Sequence, residues 1–257
     1  MNRLERLFIK KNSKIFSIYF TAGYPQLNDT FNIITELDKA GADMIEIGMP
    51  FSDPVADGPV IQKSSEKALL NGMTIKLLFE QIAKVREVTD IPLILMGYIN
   101  PVFKFGIENF LIKCKETGID GTIIPDLPVE EYMKDYGALF EKYNISNIFL
   151  ISPQTPVSRV IYLDSVSKGF LYMVSSSSTT GALTIFDDSQ VSYFKKINDL
   201  KLNTPRIIGF GISNKETFDQ SCKYSNGGIV GSAFIRALDS SGTLPEKIAE
   251  FLSKIRV

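Results

Sequence analysis

The sequence predicts a (β/α)8 barrel, in the α/β class, with an extra N-terminal helix and a short phosphate-site helix after the eighth strand. Three observations predict it. Short β-branched and aromatic runs alternate with segments that place apolar residues at i, i+3 and i+4. The runs are apolar nearly throughout, as in parallel strands covered by helices. Eight such units fill the 257 residues, which is the size of this barrel. A doubly wound sheet is the alternative, but it more often has roughly five to seven strands. No Pro/Ser/Gly-rich linker divides the chain, so residues 1–257 read as one barrel domain.

The elements follow in order. Residues 1–14 place Leu4, Leu7 and Phe8 at helical spacing among Arg and Lys, and read as an amphipathic helix packed on the body. Glu5 and the shortness of the apolar run argue against a targeting peptide. The first strand is 16–21, followed by a helix over 29–40. The second strand is Met44–Gly48; its long loop carries a helical turn or two at 60–70 before a helix over 75–89. Strand 93–98 leads to helix 102–117, strand 121–125 to helix 129–143, and strand 147–151 to helix 157–167. The sixth strand, 170–175, opens a hydroxyl-rich loop to Ser189 that has the composition of a mobile lid. Helix 190–200, strand 206–210, helix 215–223 and strand 228–231 come next. A short helix with Ser232 as its cap and a final helix over 244–255 close the chain.

Composition narrows the function. A formal charge of -1 gives no reason to expect nucleic acid or an anionic membrane as partner. The longest uncharged apolar run, around 91–101, is too short to span a bilayer. Cys114 and Cys222 both fall in helical patterns, which points to unpaired thiols in a reducing, cytoplasmic compartment. Two cysteines and no histidine do not fill a typical zinc site, so no metal is expected. Acid–base work falls to carboxylates, tyrosines, lysines or cysteines.

In this barrel class the site lies at the C-terminal ends of the strands. Glu46 stands between Ile45 and Ile47, so it points to the face opposite theirs. A lone carboxylate on a buried strand is costly unless it faces a cavity or is used, and its pKa should be raised. Asp57 follows eleven residues on, in an Ala-Asp-Gly-Pro loop, so the two acids can flank one small molecule. The alternatives are a structural ion pair for Glu46 and a turn role for Asp57. Gly209-Phe-Gly-Ile-Ser213 and Gly231-Ser232 end strands seven and eight, where barrels often bind phosphate; tight turns are the alternative. Tyr19, Tyr98, Phe105, Tyr172 and Phe210 are candidates for an aromatic pocket, with ordinary core the better reading of Phe105. No strand ends in a lysine placed for Schiff-base chemistry.

The run Glu46-Ile-Gly-Met-Pro-Phe-Ser-Asp-Pro-Val-Ala-Asp-Gly-Pro59 closely resembles the signature of the tryptophan synthase alpha-subunit family. Tyr19–Gly23, Met96–Pro101, Pro125–Glu131, Gly209–Ser213 and Gly231-Ser232 extend the resemblance over nearly the whole chain. It implies a barrel lyase that cleaves indole-3-glycerol phosphate to indole and glyceraldehyde 3-phosphate in tryptophan biosynthesis, with no metal or organic cofactor. It implies Glu46 as main acid–base, Asp57 acting on the indole N–H, and Tyr172 beside the glutamate as the third catalytic residue. Gly181, Gly211, Gly231 and Ser232 would hold the phosphate. Tyr19, Tyr98, Phe210 and Ile229 would line the indole side, and Thr180 would place the aspartate from the lid. The implied partner is the beta subunit of the same enzyme, in an α2β2 complex. The chain departs from the family at Ser178, where glycine is common, and at Thr179, where valine is frequent, so a lid that closes differently is expected. Another phosphate-binding barrel enzyme, a non-catalytic docking barrel and a stand-alone indole-releasing lyase are the competing readings.

Overall fold

A computed structural model describes residues 1–175 and 185–256, and in it eight parallel strands close in sequence order into a barrel. The chain runs α1 (Arg3–Lys10), β1 (Ile15–Thr21), α2 (Thr30–Lys39), β2 (Met44–Gly48), α3 (Pro59–Leu70), α4 (Ile75–Ile82), β3 (Leu93–Met96), α5 (Ile99–Phe105) and α6 (Ile107–Thr117). It continues through β4 (Gly121–Ile123), α7 (Val129–Glu131), α8 (Gly137–Tyr143), β5 (Ser146–Ile151), α9 (Val157–Val166) and β6 (Leu171–Val174). The last elements are α10 (Asp188–Asp199), β7 (Arg206–Gly209), α11 (Lys215–Ser221), β8 (Gly227–Val230), α12 (Ser232–Leu238) and α13 (Leu244–Arg256). Among the described residues no helix is long and apolar enough to cross a membrane.

Two apolar layers follow from strand alternation. Ile18, Phe20, Ile45 and Ile47 point outward into the layer shared with the helices. Ile15, Tyr19, Met44, Ile94, Phe170, Tyr172 and Ile207 point into the barrel. Pairing sets Tyr19 opposite Glu46, and Glu46 opposite Ile94, so these three stand at one level of the interior.

The N-terminal end of the barrel is plugged. Leu4, Leu7 and Phe8 of α1 join the interior cluster, and Phe8 meets Phe170 with ring centroids 5.8 Å apart. Burying Leu4 alone is worth about 2–3 kcal/mol. A reciprocal capping box between Asn2 and Glu5 starts α1. Buried Asp120 anchors it, accepting from Arg3 N at 3.0 Å and from Arg86 Nη2 at 3.0 Å. The opposite end is therefore left for ligands.

Several predicted boundaries change. The segment 102–117 is not one helix: Gly106, at φ +86°, turns the chain between α5 and α6, a conformation that side-chain-bearing residues rarely adopt. β3 stops at Met96, and Tyr98 becomes the N-cap of α5. Pro101 falls in the first turn of that helix, where its missing N–H has no intrahelical partner to lose. The predicted helix 75–89 ends as α-helix at Ile82 and resumes as a 3₁₀ turn at Val85–Glu87. Predicted helix 129–143 contains a π-helical turn, Tyr132–Tyr136. The helical turn or two expected at 60–70 is a twelve-residue helix with Pro59 at its start.

Candidate active site

Glu46 is fully buried, and burial pushes its carboxyl up to about 8. A hydrogen bond from Ser17 Oγ to Oε1, at 3.2 Å, opposes that rise. Oε2 has no partner among the described residues. A neutral carboxyl with one oxygen engaged and one open is equipped to give a proton and take it back.

Asp57 lies in the loop between β2 and α3, only 8% exposed. Burial pushes it up to about 6, against the lowering effect of the Tyr98 hydrogen bond. Tyr98 OH donates to Oδ2 at 3.1 Å and accepts from Ala56 N at 2.9 Å. Burial, with Asp57 beside it, raises the Tyr98 hydroxyl, so it remains a donor. Gln62 Nε2 donates to the Asp57 carbonyl at 2.8 Å and ties the loop to α3. Tyr98 and Phe51 lie 5.1 Å apart at 31°, and with Tyr19, Met49 and Met96 they wall a cleft beside Asp57. The side chains close on one another there, so the cleft is narrow, and its walls are aromatic and apolar with Asp57 at one edge.

Tyr172 and Tyr19 are buried, and burial raises both hydroxyls well above the usual tyrosine range. Glu46 and Asp57 push both further in the same direction, which places the four groups around one volume. Glycines make the room. A Cβ on Gly209 would collide with the Tyr172 hydroxyl and ring, and one on Gly48 with those of Tyr19. Gly209→Ala is therefore expected to displace the Tyr172 ring and cut turnover at least tenfold, while the helical layer stays folded. Steady-state indole release and a thermal melt check this; parental turnover would mean that the position of Tyr172 is unimportant.

Gly211, Gly231 and Ser232 end the neighbouring strands β7 and β8. Phe210 has φ +67°, a strained conformation for a side-chain-bearing residue, and Gly211 follows at φ +75°. Ser175 Oγ holds the Phe210 carbonyl at 2.8 Å, joining the end of β6 to this turn. Phe210 packs on Tyr172 edge-on, with centroids 6.2 Å apart at 73°. A Cβ on Gly231 would meet only ordinary contacts with Tyr19 and Ile61, so packing alone does not demand glycine there. Ser232 is the first residue of α12, not its cap: Gly231 holds the cap position and no side-chain cap bond forms.

The structure thus brings Glu46, Asp57, Tyr19, Tyr98, Tyr172, Phe210 and Ile229 to the barrel interior or its C-terminal rim. Phe105 is not among them; it sits in the helical layer, 5.7 Å from Phe79. Thr180, Gly181, Ser178 and Thr179 lie outside the described residues. Two hydroxyls were missed. Ser17 has a sequence signal, since it shares the face of Tyr19 two residues away. Ser175 has none beyond its place at a strand end. Among the described residues no group of three or more His, Cys, Asp or Glu side chains is placed to hold a metal ion.

Comparison with known proteins agrees with this fold. The family model described as Tryptophan synthase alpha chain matches residues 6–255. The Tryptophan synthase alpha chain of Flavobacterium psychrophilum is 56% identical over 255 residues, covering 99% of this chain and 100% of that one. That of Flavobacterium johnsoniae is 56% identical over 256 residues, covering 100% of each. The crystal structure of the tryptophan synthase alpha chain from Legionella pneumophila superposes with a TM-score of 0.87 at 31% identity, covering 100% of this chain and 96% of that one. Matched end to end by relatives more than half identical to it, and folded as they fold, this chain belongs to the tryptophan synthase alpha chain family.

Proposed function

We infer that the chain cleaves indole-3-glycerol phosphate by carboxylate acid–base catalysis. The lyase activity, which releases indole and glyceraldehyde 3-phosphate in tryptophan biosynthesis, is that of its family. The mechanism rests above all on one observation, the fully buried Glu46 carboxyl with an Oε2 that has no partner among the described residues.

Glu46 starts protonated, as its raised pKa favours at neutral pH. It protonates C3 of the indole ring, which becomes tetrahedral and leaves positive charge on N1. Ionised Asp57 stabilises that charge. The Glu46 carboxylate then takes the proton of the hydroxyl on the carbon attached to C3. The aldehyde forms, the C–C bond breaks, and its electron pair returns to the ring. Glu46 ends protonated, as it began. Tyr172 shapes the space beside it. Tyr19, Tyr98, Phe210 and Ile229 enclose the indole, while Gly181, Gly211, Gly231 and Ser232 hold the phosphate and Thr180 positions Asp57. Anchoring the phosphate far from the breaking bond supplies orientation.

The partner of this family is the tryptophan synthase beta subunit, and an α2β2 assembly is our reading for this chain. We place one domain, residues 1–257, in the cytoplasm, in keeping with the unpaired Cys114 and Cys222.

Indole release by the purified chain, followed across pH, tests the mechanism. Asp57 must be ionised, so turnover should rise with pH through about 6. Glu46 must be protonated, so turnover should fall through about 8. A profile that climbs steadily to pH 9 would reject protonated Glu46 as the starting acid.

A further inference from the structure

We propose that Ser17 is a positioning residue that makes Oε1 of Glu46 a standing hydrogen-bond acceptor and so confines the catalytic proton to Oε2. The proposal rests on the reading of Glu46 as the acid–base group.

Ser17 occupies an inward position of β1 and is completely buried. A hydroxyl there is costly unless it is bonded, and its bond goes to Glu46 Oε1 at 3.2 Å. The register shows the direction of the bond. Tyr19 stands level with Glu46, whereas Ser17 pairs with Met44, one inward level nearer the plugged end. Ser17 therefore ties Oε1 from the closed end of the barrel. Oε2 has no partner among the described residues.

This asymmetry has a chemical consequence. A serine hydroxyl that donates to a carboxyl oxygen favours the tautomer in which that oxygen is the carbonyl and the other carries hydrogen. In the protonated state Oε1 is the acceptor and Oε2–H is the donor. When Oε2–H protonates C3, the carboxylate keeps its Ser17 bond, which stabilises the new charge. Oε2 then takes the substrate hydroxyl proton. One oxygen serves both steps, the carboxyl need not rotate between them, and the proton count closes without a co-reactant. A hydrogen bond to the charged form also strengthens the acid, so Ser17 keeps a carboxyl in an apolar barrel usable near neutral pH.

The titratable groups that feel Glu46 are Tyr19 from β1 and Tyr172 from β6; Asp57, in the loop after β2, acts on the same two tyrosines and on Tyr98. Burial holds the tyrosines neutral, and Asp57 titrates near 6. Glu46 is then the group whose charge changes on the alkaline side.

The test compares Ser17→Ala, Ser17→Thr and Ser17→Val in the purified chain. Steady-state indole release is measured from pH 5.5 to 9.5. Infrared titration of ¹³C-carboxyl-glutamate protein, with Glu46→Gln subtracted, follows the Glu46 carboxyl itself. Ser17→Ala should lower kcat about tenfold with KM nearly unchanged, and raise both the alkaline limb and the infrared titration by about one pH unit. Ser17→Thr keeps the hydroxyl and should restore both; Ser17→Val, nearly the same shape, should follow the alanine protein. An unmoved Glu46 titration in Ser17→Ala, beside an inactive Glu46→Gln, overturns this proposal alone. So do identical profiles for folded Thr and Val proteins. Turnover retained by folded Glu46→Gln overturns both the proposal and the reading beneath it.

Discussion

Glu46→Gln will abolish indole release while raising stability at alkaline pH. Loss of one acid–base group costs on the order of 10²–10⁴ in rate, and Glu46 is asked to act in two steps, so the upper end is expected. The amide can still accept from Ser17, which keeps the barrel interior filled. The stability effect has the opposite sign. Folded Glu46 holds its proton up to about pH 8, whereas an exposed glutamate releases it near 4.5. Between those values the folded state binds more protons than the unfolded one. Stability therefore falls as pH rises through the interval, by about 1.4 kcal/mol per pH unit, and levels off above the folded value. Glutamine has no such slope. Its buried amide N–H groups lack a partner, which costs about 1–3 kcal/mol. A net gain on the order of 1–3 kcal/mol at pH 8 remains, and none at pH 4. Indole release and denaturant melts at the two pH values measure both effects. Turnover near that of the parent, in a folded protein, would remove Glu46 from the chemistry.

Asp57→Asn is expected to lower turnover on the order of 10²–10³ with little change in affinity for glycerol phosphate. The amide keeps the shape of the site and can still accept from Tyr98, as the carboxylate does at 3.1 Å. It carries no charge to balance the positive indole nitrogen. The residual activity should also lose the acidic limb near pH 6, because the group that titrates there is gone. Single-turnover indole release and calorimetric binding of glycerol phosphate separate chemistry from binding. A defect confined to binding, with bound substrate cleaved at the parental rate, would leave Asp57 as a residue that merely shapes its loop.

The inward placement of the strand-borne candidate residues was legible because strand alternation is local. Glu46 between two isoleucines on a five-residue strand has one direction to face. Tyr19 and Tyr172 follow by the same parity. Ser17 obeys it as well, but parity alone does not name its partner: across the ladder it pairs with Met44, and its hydroxyl reaches Glu46 two residues on. Phe105 shows the opposite case. Its aromatic ring fitted a pocket by composition, core was the better reading, and the helix it ends does belong to the outer layer, where it packs on Phe79. The break at Gly106 was hidden for a related reason. The apolar spacing over 102–117 continues through it, because both helices bury a face in the same layer, and only the backbone dihedral reveals the turn.

By itself the sequence determined the repeating strand–helix order, the parity of the inward side chains, and the motif that marks the family. These are properties of neighbours along the chain, set by steric periodicity and by which residues tolerate burial. Tertiary structure alone decided the size of the shifts in proton affinity and the pairings. Glu46 is raised to about 8 because closure of all eight strands removes water from around it, and Asp57 to about 6 because folding of its loop buries it, by more than its bond from Tyr98 offsets. Ser17 meets Oε1 only when β1 and β2 lie in their observed register. Desolvation and cross-strand hydrogen bonds depend on residues far apart in sequence arriving at one place, and that is information a linear pattern does not carry.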